Sequence, residues 1–425
     1  MKFISTRGAS PPVPLSVAIA QGLAPDGGLY VPEAFARHTP TGGDATLHAA
    51  ARSWLTPFFE DDALAPHLDA ILVEAFSFDV PLVALPTRGP AWVLELFHGP
   101  TAAFKDFGAR FLAACIARIP KNEPLTVLVA TSGDTGSAVA AAFHGVEGIE
   151  VVVLYPADGV SPRQEHQLTC WGDNVHAFRV DGTFDDCQRL VKQAFADPAI
   201  RARRTLTSAN SINLGRLLPQ AAYYAWAATQ IAKTTGQQPS FIIPSGNLGN
   251  AVAALWAREA GWPLGAVILA HNANAAVPRF LDGGIYAPTT PLRTLASAMD
   301  VGCPSNLERL RALYPDGVTG RVQALSVSDD AIRETIQRDA TALGTVWCPH
   351  SATAAHVYAH LPAEATADRP WVIVATAHPA KFPEVVEPLI GREIAIPKGL
   401  ARTLERPTRV ERLDAQLDAL RAELS

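Results

Sequence analysis

A lysine at the entrance to an apolar helix is the first feature of this chain that could do chemistry. In the run HGPTAAFKDFG, His98 to Gly108, Lys105 follows a Gly-Pro turn and is flanked by Phe104 and Phe107. Partial desolvation at such a place lowers an amine's proton affinity and supplies a neutral nucleophile for Schiff-base chemistry. The plain alternative is a surface lysine lying over apolar neighbours. A second constellation is TSGDTGS, Thr131 to Ser137, between a β-branched run and a helical one. Ser132, Gly133 and Thr135 there offer hydroxyls and free backbone N–H groups at a positive helix end, which suits a carboxylate or phosphate. Asp134 must then face something other than the anion. Ordinary helix capping accounts for the same residue types.

Three more segments share this character. PSGNLGN, Pro244 to Asn250, has the same strand, loop and helix context, with Gly246, Asn247, Leu248, Gly249 and Asn250 forming a candidate phosphate cradle. It is neither a Walker loop nor a G-x-G-x-x-G fingerprint. In Asn210-Ser211-Ile212-Asn213-Leu214-Gly215-Arg216, two amides, a hydroxyl and a guanidinium fall within two turns, a set matched to a phosphate ester. Capping by Asn210 or Ser211 with a solvated Arg216 is the alternative. Finally, Thr376 lies just past an apolar run ending at Ala375, followed by His378 and Lys381, which are catalytic candidates, although a lone His-Pro turn is more often structural.

Short apolar runs must position these loops. Candidate strands are Thr126 to Ala130, Val151 to Tyr155, Val175 to Val180, Thr205 to Ser208, Phe241 to Ile243, Ala266 to Ala270 and Trp371 to Ala375. Their alternation with helical periodicity predicts an α/β fold with mainly parallel, buried strands. After Lys105, the residues Phe107, Phe111, Leu112, Cys115, Ile116 and Ile119 share one helical stripe. Thr183 with Asp186 three residues on predicts a capped helix reaching about Ala196. The Arg52 to Leu72 segment reads as helical, and Val410 to Leu424 as a final docking helix. The expected division is an N-terminal region 1–87, one α/β domain 88–235 with the lysine, and a second, 236–425, with the phosphate loop, with approximate boundaries and interleaving of the two left open, because α/β enzymes often return a late segment to an earlier domain. Open parallel sheets bind ligands beyond the carboxyl ends of their strands, so two such loops and a lysine in one chain reinforce one another.

Composition narrows the classes further. The 425 residues carry 41 acidic and 35 basic side chains, 48% hydrophobic and 18% charged residues, for a formal charge of -6. That balance, without any basic run interleaved with aromatics, argues against nucleic acid as a partner. No apolar run reaches the roughly 18 residues of a membrane span, and Pro11, Pro12 and Pro14 interrupt the start, so a cytoplasmic address is expected. Cys115, Cys170, Cys187, Cys303 and Cys348 are scattered, which predicts reduced core residues, and no H-E-x-x-H arrangement suggests a metal.

Taken together, HGPTAAFKDFG, TSGDTGSA, SANSIN, PSGNLGN and ATAHPAKF, in this order and spacing, resemble the bacterial threonine synthases across nearly the whole chain. The opening QGLAPDGGLYVP, Gln21 to Pro32, is similar to the entry segment of that family. The resemblance implies a tryptophan-synthase-β-like fold, the fold type II of pyridoxal-phosphate enzymes, with an N-terminal extension. It implies that Lys105 is the Schiff-base lysine for pyridoxal 5′-phosphate and that Gly246 to Asn250 hold its phosphate. Thr376 would bond the ring nitrogen, and Asp134 stands where relatives usually place an asparagine near the cofactor. Ser132, Gly133 and Thr135 would receive the substrate carboxylate; Asn210, Ser211, Asn213 and Arg216 its phosphate. The implied reaction is a carbon–oxygen lyase reaction, converting O-phospho-L-homoserine and water into L-threonine and phosphate, in a chain expected to be a monomer. Two alternatives stay open: a phospholyase of the same fold releasing 2-oxobutyrate and ammonia, and a catalytically silent ligand-binding relative.

Overall fold

The computed structural model describes residues 1–38, 45–87, 89–120 and 123–424. Arg88, where the sequence places the start of the first α/β unit, lies outside the described residues. The N-terminal region opens with an antiparallel ribbon of β1 (Phe3–Ser5) and β2 (Tyr30–Pro32). Its helical segment is two helices, Leu47–Phe59 and Leu68–Ala75, separated by a short turn. Asp61 adopts φ 61° at that break, and the Asp62 carboxylate accepts from the backbone N–H groups of Ser16 and Leu64. Helix Leu47–Phe59 contacts helix Gln220–Thr235, joining this region to the common core.

The remaining strands run in chain order as β3 (Leu82–Ala84), β4 (Ala91–Glu95), β5 (Leu125–Ala130), β6 (Ile149–Pro156), β7 (Val175–Asp181), β8 (Thr205–Ser208), β9 (Ser240–Pro244), β10 (Val267–His271), β11 (Gln323–Ser326), β12 (Trp371–Ala375) and β13 (Glu411–Asp414). They build a six-stranded sheet, β11-β10-β9-β12-β4-β3, and a five-stranded sheet, β13-β7-β6-β5-β8. All pairings within them are parallel except β3 with β4. The central strands β5, β9, β10 and β12 are buried along their whole length, as expected for sheets covered on both faces.

The two sheets interleave along the chain, so neither keeps within 88–235 or 236–425. Strands β3 and β4 belong to the sheet of β9 to β12, and β13 returns to the sheet of β5 to β8. The final segment is likewise only partly helical: β13 pairs with β7, Leu413 opposite Val180, before helix Leu417–Glu423 begins. Pairing with an exposed sheet edge overrides its helical spacing, and the helix buries Leu420 in one cluster with Leu190 of helix Phe184–Ala196. Of the cysteines, Cys303 is exposed and departs from the expected core placement; the other four are buried. No helix among the described residues is long and apolar enough to cross a membrane.

Candidate active site

Lys105 opens helix Lys105–Arg118, whose stripe of Phe107, Phe111, Leu112, Cys115 and Ile116 is buried as its spacing requires. The turn before it is tied down at both ends. Asp106 accepts from the backbone N–H (2.9 Å) and hydroxyl (2.7 Å) of Thr101, closing a loop in which Ala102 adopts φ 55°. Phe104 N–H donates to Thr376 O at 2.8 Å, and His378 N–H to Ala102 O at 3.0 Å. The residue before Lys105 is thereby strapped to the first residue beyond β12. Thr376 N–H in turn donates to Ser351 Oγ at 3.0 Å, so helix Pro349–Ala359 braces this junction.

The loop after β5 is organised by a single hydroxyl. Thr131 Oγ1 accepts from the N–H groups of Gly133 (3.0 Å) and Gly136 (2.9 Å), while no hydrogen bond among the described residues engages the N–H groups of Ser132, Asp134 and Thr135. Gly133 has φ 135°, and a Cβ there would stand 2.6 Å from Gln164 Nε2. Asp134 turns to a buried cation: Lys381 Nζ lies 2.8 Å from its Oδ1, which also accepts from Gln164 Nε2 at 2.8 Å. Its charge is thus met by Lys381, leaving the loop's free N–H groups to face an anion.

Among the described residues, no hydrogen bond engages the N–H groups of Gly246, Asn247, Leu248, Gly249 and Asn250 in the loop after β9. Leu248 takes a left-handed φ of 62°, a conformation costing about 1–2 kcal/mol for a side-chain-bearing residue, and its side chain is buried. Such a left-handed step concentrates consecutive N–H groups into a nest for an anion at the start of helix Gly249–Glu259. Asn250 accepts from Tyr223 Oη through Oδ1, and its buried Nδ2 has no partner.

The Asn210 to Arg216 segment bridges the other loops. Asn210 Nδ2 donates to Ala130 O at 2.8 Å, at the end of β5, and Ser211 Oγ accepts from Asn247 Nδ2 at 2.6 Å. Asn247 also accepts from Ser305 N–H, so its side chain is occupied in holding loops together. Asn213 is fully buried: it donates to Ile19 O and Ser208 O and accepts from Gly215 N–H. This geometry assigns Asn213 to the backbone of its own loop and of helix Leu15–Gln21, in place of the ligand contact expected from sequence. Asn213→Ala should therefore destabilise the fold by about 2 kcal/mol, since it strands two carbonyls and a cap. Calorimetric unfolding checks this, and an unchanged thermal midpoint would show that the network is dispensable.

Arg216 is the unusual member. Its guanidinium is buried and Nη1 donates to Ala209 O, while among the described residues Nε has no partner and no carboxylate forms an ion pair with it. Burial lowers its proton affinity, with Asp106 opposing, yet only to about 10, so it remains a cation at neutral pH. A buried cation without a counter-ion is costly, and an anionic ligand removes that cost. Burial also lowers Lys105 to about 8; Asp134 opposes this while Arg216 and Lys381 add to it. Asp106 is raised to about 6 by burial against its Thr101 hydrogen bonds. For Asp134, burial favours the neutral form, but Lys381 and then Lys105 hold the carboxyl well below its ordinary range. His350 is lowered to about 4 by burial; its Nε2 accepts from Ala298 N–H while Nδ1 has no partner.

The structure therefore gathers Lys105, Asp134, the Gly246 to Asn250 loop and Thr376 at the carboxyl ends of β5, β9 and β12, with Arg216 close enough to act on Lys105 electrostatically. His378 instead accepts from Ala380 N–H through Nδ1, capping its own turn. Sequence reasoning missed Gln164, Arg309 and His350. Arg309, fully buried, donates to Tyr30 O, Ser211 O and Ile212 O and so fixes the Asn210 to Arg216 loop against the N-terminal ribbon. Cys-Pro-His-Ser at Cys348 to Ser351, a helix start with a histidine and a hydroxyl, was the one local signal available for His350.

Comparison with known proteins bears on this arrangement. A family described as pyridoxal-phosphate dependent enzyme matches residues 77–377. The threonine synthase N terminus matches 2–76 and the threonine synthase C-terminal family 351–423. Curated threonine synthases of Serratia marcescens and Escherichia coli (strain K12) are each 38% identical over 99% of this chain and 98% of theirs. The crystal structure of the Escherichia coli threonine synthase is similar with a TM-score of 0.91 and 37% identity, covering 100% of this chain and 99% of that one. A pyridoxal-phosphate-bound threonine synthase from Brucella melitensis follows at a TM-score of 0.90 and 33% identity, covering 100% and 98%.

Proposed function

The chain belongs to the threonine synthase family, and from that premise we propose how its own residues divide the work. It is a pyridoxal-phosphate-dependent lyase that converts O-phospho-L-homoserine and water into L-threonine and phosphate. The residues present fit that cofactor. A run of unbonded N–H groups at Gly246 to Asn250 suits a phosphate, a Cβ at Gly246 would stand 2.7 Å from Met299 Cα, and a half-buried lysine and the Thr376 hydroxyl complete the donor set. When bound, the cofactor supplies a conjugated ring that accepts electrons from bonds broken on the substrate.

In this reading Lys105 anchors the cofactor and, once displaced by the substrate's amino group, acts as general base at the α carbon and then at the β carbon. An amine of proton affinity near 8 both accepts and returns protons at neutral pH. The free N–H groups of Ser132, Asp134 and Thr135 hold the substrate carboxylate, and Gly133, whose own N–H is taken by Thr131 Oγ1, gives their loop its turn. Asn210 and Ser211 shape the phosphate end and Arg216 neutralises it. Phosphate leaves the γ carbon, that carbon takes up a proton, and water adds at the β carbon. Thr376 would offer the ring nitrogen a neutral hydroxyl, which would leave it less protonated than a carboxylate partner would.

The observation that carries the phosphate assignment is the buried guanidinium of Arg216 without a described counter-ion. Arg216→Ala should raise KM for O-phospho-L-homoserine and lower kcat/KM by about 100-fold or more, the loss expected of a buried charge-assisted contact. Turnover of amino-acid analogues without a phosphate should be much less affected. Equal losses on both kinds of substrate would make Arg216 a purely structural residue.

A further inference from the structure

Lys381 is fully buried, on the turn that follows Thr376, and is bound on two sides. Its Nζ donates to Thr101 O at 2.7 Å and lies 2.8 Å from Asp134 Oδ1, where Gln164 Nε2 also donates. Burying two charges together is a poor way to stabilise a fold, because lost hydration offsets most of their attraction. The pair's place gives it another use. Thr101 belongs to the turn that delivers Lys105, Asp134 opens the helix after β5, and Lys381 ties one to the other. Charged and titratable groups act on Lys105 from several elements: Asp134 from helix Asp134–Phe143, Arg216 from helix Leu214–Leu217, Lys381 itself, and His350 from helix Pro349–Ala359.

We propose that Lys381 is a positioning residue that pairs off Asp134, so that the Lys105 amine is neutral when it must take a proton from the substrate. This rests on Lys105 being the cofactor lysine. Without Lys381, the Asp134 carboxylate has Lys105 as its remaining cationic neighbour and holds it as the ammonium ion. Without Asp134, the Lys381 charge is uncompensated and drives the proton off Lys105. Three variants of the holoenzyme separate these effects by sign. In Lys381→Met the proton affinity of Lys105 should rise by about one pH unit or more. In Asp134→Asn it should fall by a similar amount, and in the double variant Lys381→Met/Asp134→Asn it should return close to the parent value.

Two readouts report it: the pH midpoint of the holoenzyme's visible absorbance, which follows the proton on the same Nζ when it is bonded to the cofactor, and the acidic limb of the kcat profile, which in the parent should rise with pH as the freed amine loses its proton. A packing role for Lys381 predicts no rescue by the second substitution. Should Lys381→Met fail to fold, the shift in Asp134→Asn and its reversal in the double variant carry the test. Midpoints that stay put in Asp134→Asn, or a double variant no closer to the parent than the single ones, overturn the assignment. Loss of the visible absorbance in Lys105→Ala is the control. If that absorbance persists, the reading of Lys105 fails; if it is lost while the midpoints do not move, only the role of Lys381 fails.

Discussion

Lys105→Ala is expected to lower turnover by at least about 10⁴-fold and to remove the visible absorbance of the cofactor-loaded protein. The loss should be chemical, because the Lys105 side chain forms no hydrogen bond or ion pair with any described residue, and alanine is a good helix former at the start of helix Lys105–Arg118. Its recorded contact is with the Phe104 ring, 5.3 Å from Nζ to the ring centre. Circular dichroism and the thermal midpoint should therefore stay near those of the parent while activity vanishes. Threonine formation at the normal rate would remove Lys105 from the site.

Gly246→Ala should weaken pyridoxal 5′-phosphate binding by about 10- to 100-fold, measured by titrating the cofactor-free protein. The backbone of Gly246 does not require glycine through a positive φ; the constraint is space. An added Cβ would meet Met299 Cα at 2.7 Å and Ala298 O at 3.3 Å, both backbone atoms of the turn Ser297–Met299. Either the loop or that turn must shift, and the N–H groups lose their common focus. One or two charge-assisted hydrogen bonds at about 1.5–3 kcal/mol each give the stated range. Gly249→Ala is the internal comparison. Its Cβ would meet Leu217 Cδ1 at 3.4 Å, an ordinary contact, so its affinity should change much less. Equal affinities for the parent and Gly246→Ala would move the phosphate away from this loop.

The central strands were legible because burial on both faces writes itself as short apolar runs. β5, β9, β10 and β12 lie within a residue of their expected bounds at each end. Two edge strands were not. β11 is Gln-Ala-Leu-Ser and β13 is Glu-Arg-Leu-Asp, largely polar or exposed sequences whose strand character comes only from the neighbour they pair with. The return of β13 to the earlier sheet is invisible locally for the same reason. At the site, the loops were readable because strand, glycine-rich loop and helix form a local pattern. The side chains that brace them were not, since the partners lie far apart in sequence. Gln164 reaches Asp134, Arg309 reaches Tyr30, and Lys381 reaches Thr101, 30, 279 and 280 residues away. Asp134 shows the difference most clearly. Sequence indicated that it must face something other than an anion, and only the fold reveals Lys381 as that group.

The most direct test of the account is to incubate the cofactor-loaded protein with O-phospho-L-homoserine and to measure phosphate, threonine and 2-oxobutyrate in the same samples. The account predicts one threonine for each phosphate released. Phosphate matched by 2-oxobutyrate would keep the cofactor and the fold but contradict the addition of water at the β carbon, and no phosphate release would contradict the site built around Lys105 and Arg216.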